Sequence, residues 1–441
     1  MRVLALDVGS SSVKAAVLED ETILAKVPEP ERFPTDESRP PRVQIAAEEI
    51  WNAVARAVGR LGEAVRAADR IALDALSPSC VLLDAEGGPL TPIITHQDRR
   101  SVEQAERIEA RFGLDPHLRM AGNRPFPGGI GSTTLLWLRE NEPQILDRAA
   151  TVGMATTFLV ARLTGARAID PGNAGFLGLY DHGLRAAGAA PCWNRDLCKP
   201  AGIRLDQLPD ILDGATVAGR LKAAAARRLG LREGTEVLAG VVDTSAAFLG
   251  VGAEPGRLLN SIGTTDVIAL AWPRARPHEQ LLTRELGAGA LWLSVYTVAS
   301  GGGSLAWAHE ALFPDLKKDE FYKLARDLTA RPPPAVRFEP FLAGDRMSIR
   351  QRKASFEGID RSVRREDLLR AILEAIALRN AEGMELLTRE ATPLPDVFVA
   401  GGGDWLSDFY HRAWPGDGWR FHPIEDATYK GLARLAAGRF A

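Results

Sequence analysis

Two short segments, far apart in the chain, combine a glycine with hydroxyl side chains between two apolar runs. Residues 4–17 read LALDVGSSSVKAAV, and residues 259–270 read LNSIGTTDVIAL. A strand, a Gly-Ser/Thr turn and a second strand present backbone N–H groups and hydroxyls to an anion, and glycine lets the backbone come close. For either turn alone, a β-hairpin without a ligand is the favoured interpretation. The matched pair instead predicts that the two turns bind one polyphosphate from both sides.

Two acidic residues stand where they could act on a bound polyphosphate. Asp7 belongs to the first segment, at a position suited to a phosphate-bound Mg²⁺. Asp243 is the only charged residue between Val237 and Ala253, and it separates a strand-like run from a helix-like run. Apolar surroundings raise the pKa of a carboxyl and make it a better base, while a nearby cation opposes that shift. We therefore predict a catalytic role for Asp243, which is compatible with its capping the following helix.

Other polar and glycine-rich segments also follow predicted strands. Residues 95–100, THQDRR, form a polar cluster that suits sugar hydroxyls, with a solvated helix N-terminus as an equally weighted alternative. Ser77-Pro78-Ser79 ends a neighbouring strand and could line the same cleft. The Gly-Gly-Gly runs at 301–303 and 401–403 each follow an apolar strand and precede a helix, where a nucleotide can approach the backbone closely. The sequence has no Walker A, Rossmann or Gly-x-Ser-x-Gly motif, and its histidines show no metal spacing.

Strands and helices must position these residues. Short apolar runs predict strands over 3–8, 13–18, 22–27, 71–76, 81–84, 92–95, 236–242, 258–272, 290–299 and 397–400. Helical spacing and composition predict helices over 46–67, 100–112, 132–149, 216–229 and 365–390. Residues 165–215, which include Asp170 and Asn173, are predicted to be mostly loop. Strand patterning restarts at 258, so two α/β domains are expected, with a boundary near 240–257.

Composition limits the class of protein. A chain of 441 residues is too long for one core, which again predicts two domains. It is 46% hydrophobic and 25% charged, as in ordinary globular enzymes, and its net charge of −3 gives no support for nucleic acid or a membrane surface as partner. Cys80, Cys192 and Cys198 have no metal spacing and predict a reducing, cytoplasmic location. Neither a signal peptide nor a membrane-spanning run is predicted.

Taken in order, the motifs resemble those of the FGGY carbohydrate kinases, which belong to the superfamily of sugar kinases, heat-shock chaperones and actin. LALDVGSSSVK resembles the first phosphate motif, NSIGTTDV the second, and GVVDTSAAFLGVG the segment of the catalytic aspartate. TPIITHQDRRS is similar to a sugar-side Trp-x-Asp-x-Arg segment, and VFVAGGGDWLSDFY to the adenosine motif. The resemblance extends over nearly the whole chain, and within the family it is to the xylulose kinases and gluconate kinases.

The resemblance implies an α/β fold with two ribonuclease-H-like (actin-like ATPase) domains around a central cleft. Residues 1–245 would form the sugar side with the first phosphate motif, and residues 246–441 the nucleotide side. ATP and Mg²⁺ would be the cofactors, with Asp7 and Asp243 at the metal and Asp243 taking the proton of the sugar hydroxyl. The residues implied to bind the nucleotide are Asp7, Gly9, Ser10, Ser11, Ser12, Lys14, Gly263, Thr264, Thr265, Gly302, Gly402, Gly403 and Ser407. Those implied to bind the sugar are Ser77, Pro78, Asp98, Arg100 and Asp243.

The activity that the resemblance implies is ATP-dependent phosphorylation of a small sugar, at a terminal primary hydroxyl. A pentulose such as xylulose or ribulose is the first choice, and gluconate, a heptulose or glycerol is the alternative. His96 replaces a common Trp, and Ser77-Pro78 stands where many xylulose and gluconate kinases have Met-His, so the sugar stays open. An ATP-binding or sugar-binding protein of the same fold without kinase activity is the rival interpretation. A small-molecule partner is expected, without nucleic acid or membrane, and a homodimer is left open.

Overall fold

The computed structural model describes residues 1–401 and 403–440 and divides the chain into two compact units. The first contains Met1–Glu254, Pro273–Leu293 and the chain from Asp426 onward, and the second contains Pro255–Trp272 and Ser294–Glu425. Each unit has its own sheet and its own helices, which confirms the α/β class. The division differs from a single cut after residue 245, because the chain leaves the first unit twice and returns to it twice.

The strands are numbered in chain order. They are β1 (Arg2–Val8), β2 (Ser12–Glu19), β3 (Thr22–Lys26), β4 (Glu31–Arg32), β5 (Gln44–Ile45), β6 (Arg70–Ala75), β7 (Ser79–Leu83), β8 (Ile93–Thr95), β9 (Thr151–Gly153), β10 (Ala168–Ile169), β11 (Asp210–Ile211), β12 (Val217–Arg220), β13 (Glu236–Leu238), β14 (Val241–Val242), β15 (Leu258–Ile262), β16 (Asp266–Trp272), β17 (Leu282–Glu285), β18 (Trp292–Val298), β19 (Arg337–Glu339), β20 (Ser355–Glu357), β21 (Asp396–Gly401) and β22 (Arg420–Pro423).

The α-helices are numbered in the same way, and two 3₁₀ helices lie at Gly62–Ala67 and Leu205–Gln207. They are α1 (Ala47–Arg60), α2 (Val102–Phe112), α3 (Leu114–Ala121), α4 (Gly131–Asn141), α5 (Pro143–Arg148), α6 (Ala155–Thr164), α7 (Pro171–Leu177), α8 (His182–Ala186), α9 (Arg195–Cys198), α10 (Ala223–Leu229), α11 (Asp243–Val251), α12 (Gly301–Leu312), α13 (Lys318–Leu328), α14 (Arg365–Thr388), α15 (Gly403–His411) and α16 (Ala427–Ala437). Within residues 1–401 and 403–440, no helix has the length and apolar character that crossing a bilayer requires.

The main sheet of the first unit has the strand order β12-β13-β6-β1-β2-β3, with β14 also paired to β6. β1 is antiparallel to β2 and parallel to β6, and β13 and β14 are parallel to β6. Helices cover both faces, so the central strands are nearly continuous apolar runs. Leu4, Leu6 and Val8 face the core cluster that includes α1 and α6. Since side chains alternate along a strand, Asp7 points to the opposite face, where α16 packs on β1 and β6.

The sheet of the second unit repeats this pattern with the order β18-β16-β15-β21-β22. β15 is antiparallel to β16 and parallel to β21, and β21 is parallel to β22. In each unit, therefore, a hairpin is followed by a later strand that pairs in parallel with the first strand of the hairpin. The similarity between residues 4–17 and 259–270 reflects this shared topology, since each segment forms the hairpin of its own sheet.

One sequence prediction of secondary structure is wrong, and a second is incomplete. Residues 216–229 do not form one helix, because 217–220 is strand β12 and only 223–229 is helical. The alanine-rich sequence of α10 favoured a helix, and the predicted helix wrongly included the short edge strand β12. Residues 165–215 are mostly loop, as predicted, but they also contain α7, α8 and α9 with strands β10 and β11. Asp170 begins α7 by accepting hydrogen bonds from the N–H groups of Gly172 and Asn173, a cap that the Gly- and Pro-rich composition obscured.

Two further predicted helices are shorter than expected. The helix predicted over 46–67 ends at Arg60 and gives way to the 3₁₀ helix that begins at Gly62, where φ is 60°. The helix predicted over 132–149 is divided into α4 and α5 before Pro143. Proline disfavours a helical conformation of the residue before it and lacks the N–H that a continuous helix requires. The remaining predicted strands are present within a few residues of their expected bounds.

Candidate active site

The first predicted phosphate turn connects β1 to β2. The backbone N–H of Gly9 donates to the carbonyl of Ser12 over 2.9 Å, and Ser10 and Ser11 are exposed at the tip. Asp7 and Lys14 are paired in the hairpin register, and Lys14 Nζ lies 3.1 Å from Asp7 Oδ2. The charge of Asp7 raises the pKa of Lys14. The structure therefore brings a cation, a carboxylate and exposed hydroxyls together at one turn.

Three acidic residues meet at the carboxyl ends of three parallel strands. Asp7 is level with Asp74 in the pairing of β1 with β6, and Val241 is level with Asp74 in the pairing of β14 with β6. Asp243 follows directly after β14. The carboxyl end of a parallel sheet is where ligands of such folds bind. The sequence prediction included Asp7 and Asp243 but missed Asp74.

Asp74 is completely buried, and neither of its carboxylate oxygens has a hydrogen-bond partner among residues 1–401 and 403–440. Burial raises the pKa of Asp74 well above its usual range, and the charges of Asp7 and Asp243 raise it further, while Lys14 opposes the shift. Such a carboxyl stays ionised only beside positive charge. Its sequence signal was a lone acid in the apolar run IALDAL, which is the kind of signal that identified Asp243.

Asp243 is the first residue of α11 and is partly exposed. Its Oδ1 accepts hydrogen bonds from the backbone N–H of Thr244 over 2.6 Å and from the Thr244 hydroxyl over 3.1 Å. Burial raises the pKa of Asp243, whereas these hydrogen bonds and the charge of Arg284 lower it. Asp243 thus forms hydrogen bonds at the start of the helix. A carboxylate with a raised pKa can accept a proton, and the catalytic role of Asp243 stays a prediction.

Arg284 is a fully buried cation beside this carboxylate. Its Nη1 donates to Ser245 Oγ over 2.5 Å and to the carbonyl of Glu285 over 3.2 Å, and its guanidinium lies 5.6 Å from the ring centre of Phe176. Burial lowers the pKa of Arg284 to about 10, while the charges of Asp243 and Asp170 raise it. The side chain therefore remains charged at neutral pH. No feature of the isolated segment LLTREL indicated its position, because β17 reaches the site only through the fold.

A polar wall extends from the residues predicted to bind sugar. Ser77 Oγ donates to Asn173 Oδ1 over 2.9 Å, and Asn173 Nδ2 donates to Asp170 Oδ1 over 2.5 Å. Burial raises the pKa of Asp170 to about 6, against hydrogen bonds from Asn173 and the charge of Arg284. The Ser77–Pro78 peptide bond is cis, and Pro78 is buried. Ser77 is thereby connected to the buried ions around Asp243.

Asp98 and Arg100 form a buried ion pair, with Arg100 Nη2 2.7 Å from Asp98 Oδ2. The same carboxylate accepts the backbone N–H of Val43 over 2.8 Å, and Arg100 also donates to Gln44 Oε1 over 2.7 Å. Thr95 is level with Ser79 in the pairing of β8 with β7. This segment and the Ser77-Pro78 segment therefore lie at the same edge of the sheet that β7 and β8 form with β5 and β9. The two residues bind each other here, and their contact with a sugar stays a prediction.

The second predicted phosphate turn connects β15 to β16 and rests on the start of α12. The N–H groups of Gly302 and Gly303 donate to the carbonyls of Gly263 and Thr264 over 2.8 and 3.1 Å. A Cβ atom on Gly302 would lie 2.5 Å from the Gly263 carbonyl oxygen. Gly263 and Thr264 are exposed. The structure thus unites the second turn with one predicted glycine run, and close packing explains why glycine is needed there.

Two residues that sequence reasoning missed support this turn. Asp266 accepts the N–H of Gly263 over 3.2 Å, and burial raises its pKa to about 7. Arg346 Nη2 lies 3.3 Å from Thr265 Oγ1, and that hydroxyl donates to the carbonyl of Ala299 over 3.1 Å. The local pattern that could have identified Asp266 is its position directly after two threonines in NSIGTTDV. Arg346 lies 81 positions away from Thr265, so no local pattern could connect them.

The second predicted glycine run lies where β21 ends and α15 begins. Gly401 has a φ of 76°, and a Cβ atom there would overlap the carbonyl oxygen of Ile262. Gly402 lies outside the described residues, and Gly403 is the first residue of α15. Ser407 is buried and its Oγ lies 3.2 Å from His411 Nδ1, while His411 Nε2 lies 2.8 Å from Asn260 Oδ1. The predicted contacts of these residues with a nucleotide stay predictions.

The acidic end of the first sheet has the donors that Mg²⁺ prefers. This ion keeps several waters and binds through one or two carboxylates together with substrate phosphates. Asp7, whose side chain is 13% exposed, lies beside the first turn, and Asp74 adds a fully buried carboxylate without a partner among the described residues. Among residues 1–401 and 403–440, no group of three or more His, Cys, Asp or Glu side chains is arranged to hold a metal ion. A hydrated Mg²⁺ does not require such a cage.

Comparison with known proteins gives matches along most of the chain. The model of the FGGY family of carbohydrate kinases, N-terminal domain, matches residues 2–250, and that of the C-terminal domain matches residues 258–410. The xylulose kinase of Escherichia coli (strain K12) is 26% identical over 416 residues, covering 91% of this chain and 81% of that protein. The xylulose kinase of Bacillus subtilis (strain 168) is 28% identical over 334 residues, covering 73% of this chain and 64%, less than two thirds, of that protein.

The fold also matches that of a solved structure along most of the chain. The crystal structure of xylulose kinase from Rhodospirillum rubrum matches with a TM-score of 0.84 and 25% identity, and the match covers 99% of this chain and 89% of that one. The resemblance stated from the sequence motifs and the two-unit α/β class are therefore confirmed at the level of family and fold.

Proposed function

Because the chain belongs to the FGGY family of carbohydrate kinases, we propose that it transfers the terminal phosphoryl group of ATP to a small sugar. The acceptor is a terminal primary hydroxyl of a pentulose such as xylulose or ribulose. Support for a pentulose comes from relatives named xylulose kinase. The reaction takes place in the cytoplasm, where ATP is abundant, and the three cysteines are free as a reducing compartment would keep them.

The arrangement around Asp243 carries the proposal. The carboxylate is partly exposed at the start of α11, and burial raises its pKa. It also lies at the same sheet edge as Asp7, Lys14 and the exposed serines of the first turn. A base next to groups that suit phosphate is what transfer to an alcohol requires.

In the proposed reaction, Asp243 takes the proton of the sugar hydroxyl while the oxygen of that hydroxyl forms a bond to the γ-phosphorus. The bond between the γ-phosphorus and the oxygen bridging it to the β-phosphate breaks, and ADP leaves with that oxygen. Lys14 and the first turn hold negative phosphate oxygens near Asp7. The turn at Gly263, Thr264 and Thr265, with Gly302, Gly403 and Ser407, is assigned to the nucleotide. Most of the rate enhancement comes from positioning and charge neutralisation.

Mg²⁺, when bound, neutralises charge on the β- and γ-phosphates. Asp7 and Asp243 are the residues assigned to hold it. The carboxylates lie at the same end of the sheet, and within residues 1–401 and 403–440 the Asp74 oxygens have no hydrogen-bond partner.

A neutral sugar suits the buried ions better than gluconate. Arg284 is the feature that would favour an aldonate, because a buried guanidinium pairs well with a carboxylate. Its charge, however, already acts on both Asp243 and Asp170. An added carboxylate would therefore enter a site with two negative groups and one positive group. Hydroxyl groups can instead bind Asn173, Asp170 and Ser77 without adding charge.

A screen of ADP release tests the proposal over pentuloses, heptuloses, aldonates and polyols. We expect turnover to be highest with a pentulose. Asp243→Asn should lower kcat by about 10²–10⁴-fold, since it removes the base but keeps the shape of the side chain. Binding of ADP should remain, and the exposed Asp196→Asn should retain full activity as a matched control.

Near-normal turnover by Asp243→Asn would remove the proposed base. Sugar or nucleotide binding without turnover of any acceptor would favour the rival interpretation, a binding protein of this fold. Highest activity with gluconate would show that Arg284 recognises a carboxylate and would overturn the pentulose assignment.

A further inference from the structure

Asp74 is the most deeply buried member of the acidic end of the first sheet. β6 lies between β1 and β14, and the register places Asp74 level with Asp7 on one side and with Val241, two residues before Asp243, on the other. Asp7 and Asp74 share a face of the sheet, because Leu6 and Leu73 both point to the opposite core. Asp7 and Asp74 therefore lie side by side, and Asp243 follows β14 at the same end of the sheet.

We propose that Asp74 is an additional acidic residue of the divalent-cation site, which holds the hydration shell of Mg²⁺ while Asp7 binds on the accessible side. This proposal rests on the proposed kinase function. It assigns a role to a residue outside both phosphate motifs and outside the segment of the proposed base.

The lack of hydrogen-bond partners points to a ligand. Asp74 is 0% exposed, and both of its oxygens are unpaired within residues 1–401 and 403–440. An uncompensated buried carboxylate costs several kcal/mol. Protonation would not satisfy the group, because the second oxygen would still have no donor. Water molecules held by a cation would instead donate to both oxygens.

The charge balance points to the same ligand. The charged groups that act on Asp74 are Asp7, Asp243 and Lys14, and Tyr429 of α16 also faces this group of acids. Three carboxylates thus face one ammonium, and Lys14 is already 3.1 Å from Asp7. Arg284 also acts on Asp243, and a divalent cation offsets the negative charge that remains. Mg²⁺ suits the site because it binds through few carboxylates and keeps its waters.

Binding of Mn²⁺, which replaces Mg²⁺ and can be followed by electron paramagnetic resonance, tests the proposal without turnover. The titration uses the full chain, first alone and then with ADP. Asp74→Asn keeps the shape of the side chain and removes its charge, and it should weaken Mn²⁺ binding about 10- to 100-fold. Asp69→Asn is the matched control, because Asp69 lies beyond the other end of β6 and is exposed. It should bind Mn²⁺ like the natural protein.

Thermal unfolding supplies a second readout. Without metal, Asp74→Asn should raise the melting temperature, since it removes the free-energy cost of burying a carboxyl that is ionised in the unfolded chain. Added Mg²⁺ should raise the melting temperature of the natural protein more than that of the variant. If the Asp74→Asn variant folds poorly, Asp74→Ser allows the same comparison with a smaller uncharged side chain.

Unchanged Mn²⁺ affinity in Asp74→Asn and Asp74→Ser would overturn the proposal, as would natural protein that binds no Mn²⁺ with ADP present. Neither result bears on Asp243 as the base, a role that is decided by ADP release. Conversely, loss of turnover in Asp243→Asn with weakened Mn²⁺ binding in Asp74→Asn would support both assignments separately.

Discussion

Arg284 and Asp243 are opposite charges that depend on each other inside the first unit. Arg284 is 1% exposed, and its guanidinium donates to the Ser245 hydroxyl and to a backbone carbonyl. Its charge lowers the pKa of Asp243 against the stronger effect of burial. A base must be ionised to accept a proton, so Arg284 should extend the activity of Asp243 to lower pH.

The acid limb of the pH–rate profile measures this dependence. In the natural protein, kcat should fall as the pH drops through the pKa of Asp243, which burial raises above its usual range. Arg284→Met removes the cation and should move that limb upward by about 1 pH unit. Arg284→Lys keeps a positive charge, so its acid limb should lie close to the pH of the limb in the natural protein. Identical limbs in all three proteins would contradict a link between Arg284 and Asp243.

Asp266 predicts a pH dependence of stability. Burial raises its pKa to about 7 in the folded chain, whereas an unfolded Asp titrates near 4. The folded state therefore binds more protons between these values, and this residue lowers stability as the pH rises from about 4 to 7. Asp266→Asn removes that effect and keeps an oxygen for the Gly263 N–H.

The test compares chemical unfolding of the natural protein and Asp266→Asn at pH 5 and pH 8. Relative to the natural protein, the variant should gain on the order of 2 kcal/mol between the two pH values. A relative stability that stays constant, or falls, over this range would show that Asp266 titrates normally in the fold.

At the scale of elements, α11 is positioned by a close contact with α16. A Cβ atom on Gly431 would overlap the carbonyl oxygen of Ala246, and one on Gly250 would overlap that of Ala427. Arg434 Nη1 also donates to the carbonyl of Leu249 over 2.9 Å. Since Asp243 begins α11, the separation of these helices sets the position of the proposed base.

Gly431→Ala should separate the two helices. We expect a loss of about 1–3 kcal/mol in unfolding free energy, the usual cost of overpacking, and a lower kcat. Gly59→Ala is the matched control, because Gly59 lies within α1 and an added Cβ atom there meets no atom within 4 Å. It should stabilise the chain by about 0.5–1 kcal/mol. Equal effects of the two substitutions in denaturant unfolding would contradict the contact argument.

The glycine run that begins α12 offers a second comparison of neighbouring sites. A Cβ atom on Gly302 would lie 2.5 Å from the Gly263 carbonyl oxygen, whereas the nearest atom to one on Gly303 would be the movable Ser300 hydroxyl at 3.0 Å. Gly302→Ala should therefore displace the second turn and raise the KM for ATP about tenfold, with a smaller change for Gly303→Ala. Similar KM values for both variants would exclude a role of this contact in nucleotide binding.

At the scale of the whole molecule, local sequence patterns predicted the hairpins and the two-part α/β organisation but not the pairings between distant segments. Both phosphate turns were visible because glycine, hydroxyl and apolar residues adjoin each other in the chain. Asp74 was missed although IALDAL contains a lone acid, because only the parallel pairing of β6 with β1 and β14 places that acid beside Asp7. Arg284 and Arg346 were missed for the same reason. The predicted helix over 216–229 failed because edge strand β12 depends on its partner β13.

The interleaved division of the chain leads to a prediction about its C-terminal end. Helix α16 returns to the first unit and packs on β1, β6 and α11. Its Leu432 and Leu435 are buried, and Arg70 Nη1 donates to the carbonyl of Ala436 over 2.6 Å. A chain ending at Glu425 would expose the apolar surface beneath α16 and lose the contact that positions α11.

Such a truncated chain should lose the cooperative thermal transition of the first unit, measured by circular dichroism. Burial of several Leu and Tyr side chains contributes about 1.5–3 kcal/mol each, so their combined loss approaches the total stability of a domain. Supplying residues 426–441 as a separate peptide should restore part of the transition, because the surface that binds α16 is specific. A melting temperature within a few degrees of that of the full chain would show that α16 is dispensable, and with it the proposed positioning of Asp243 through α11.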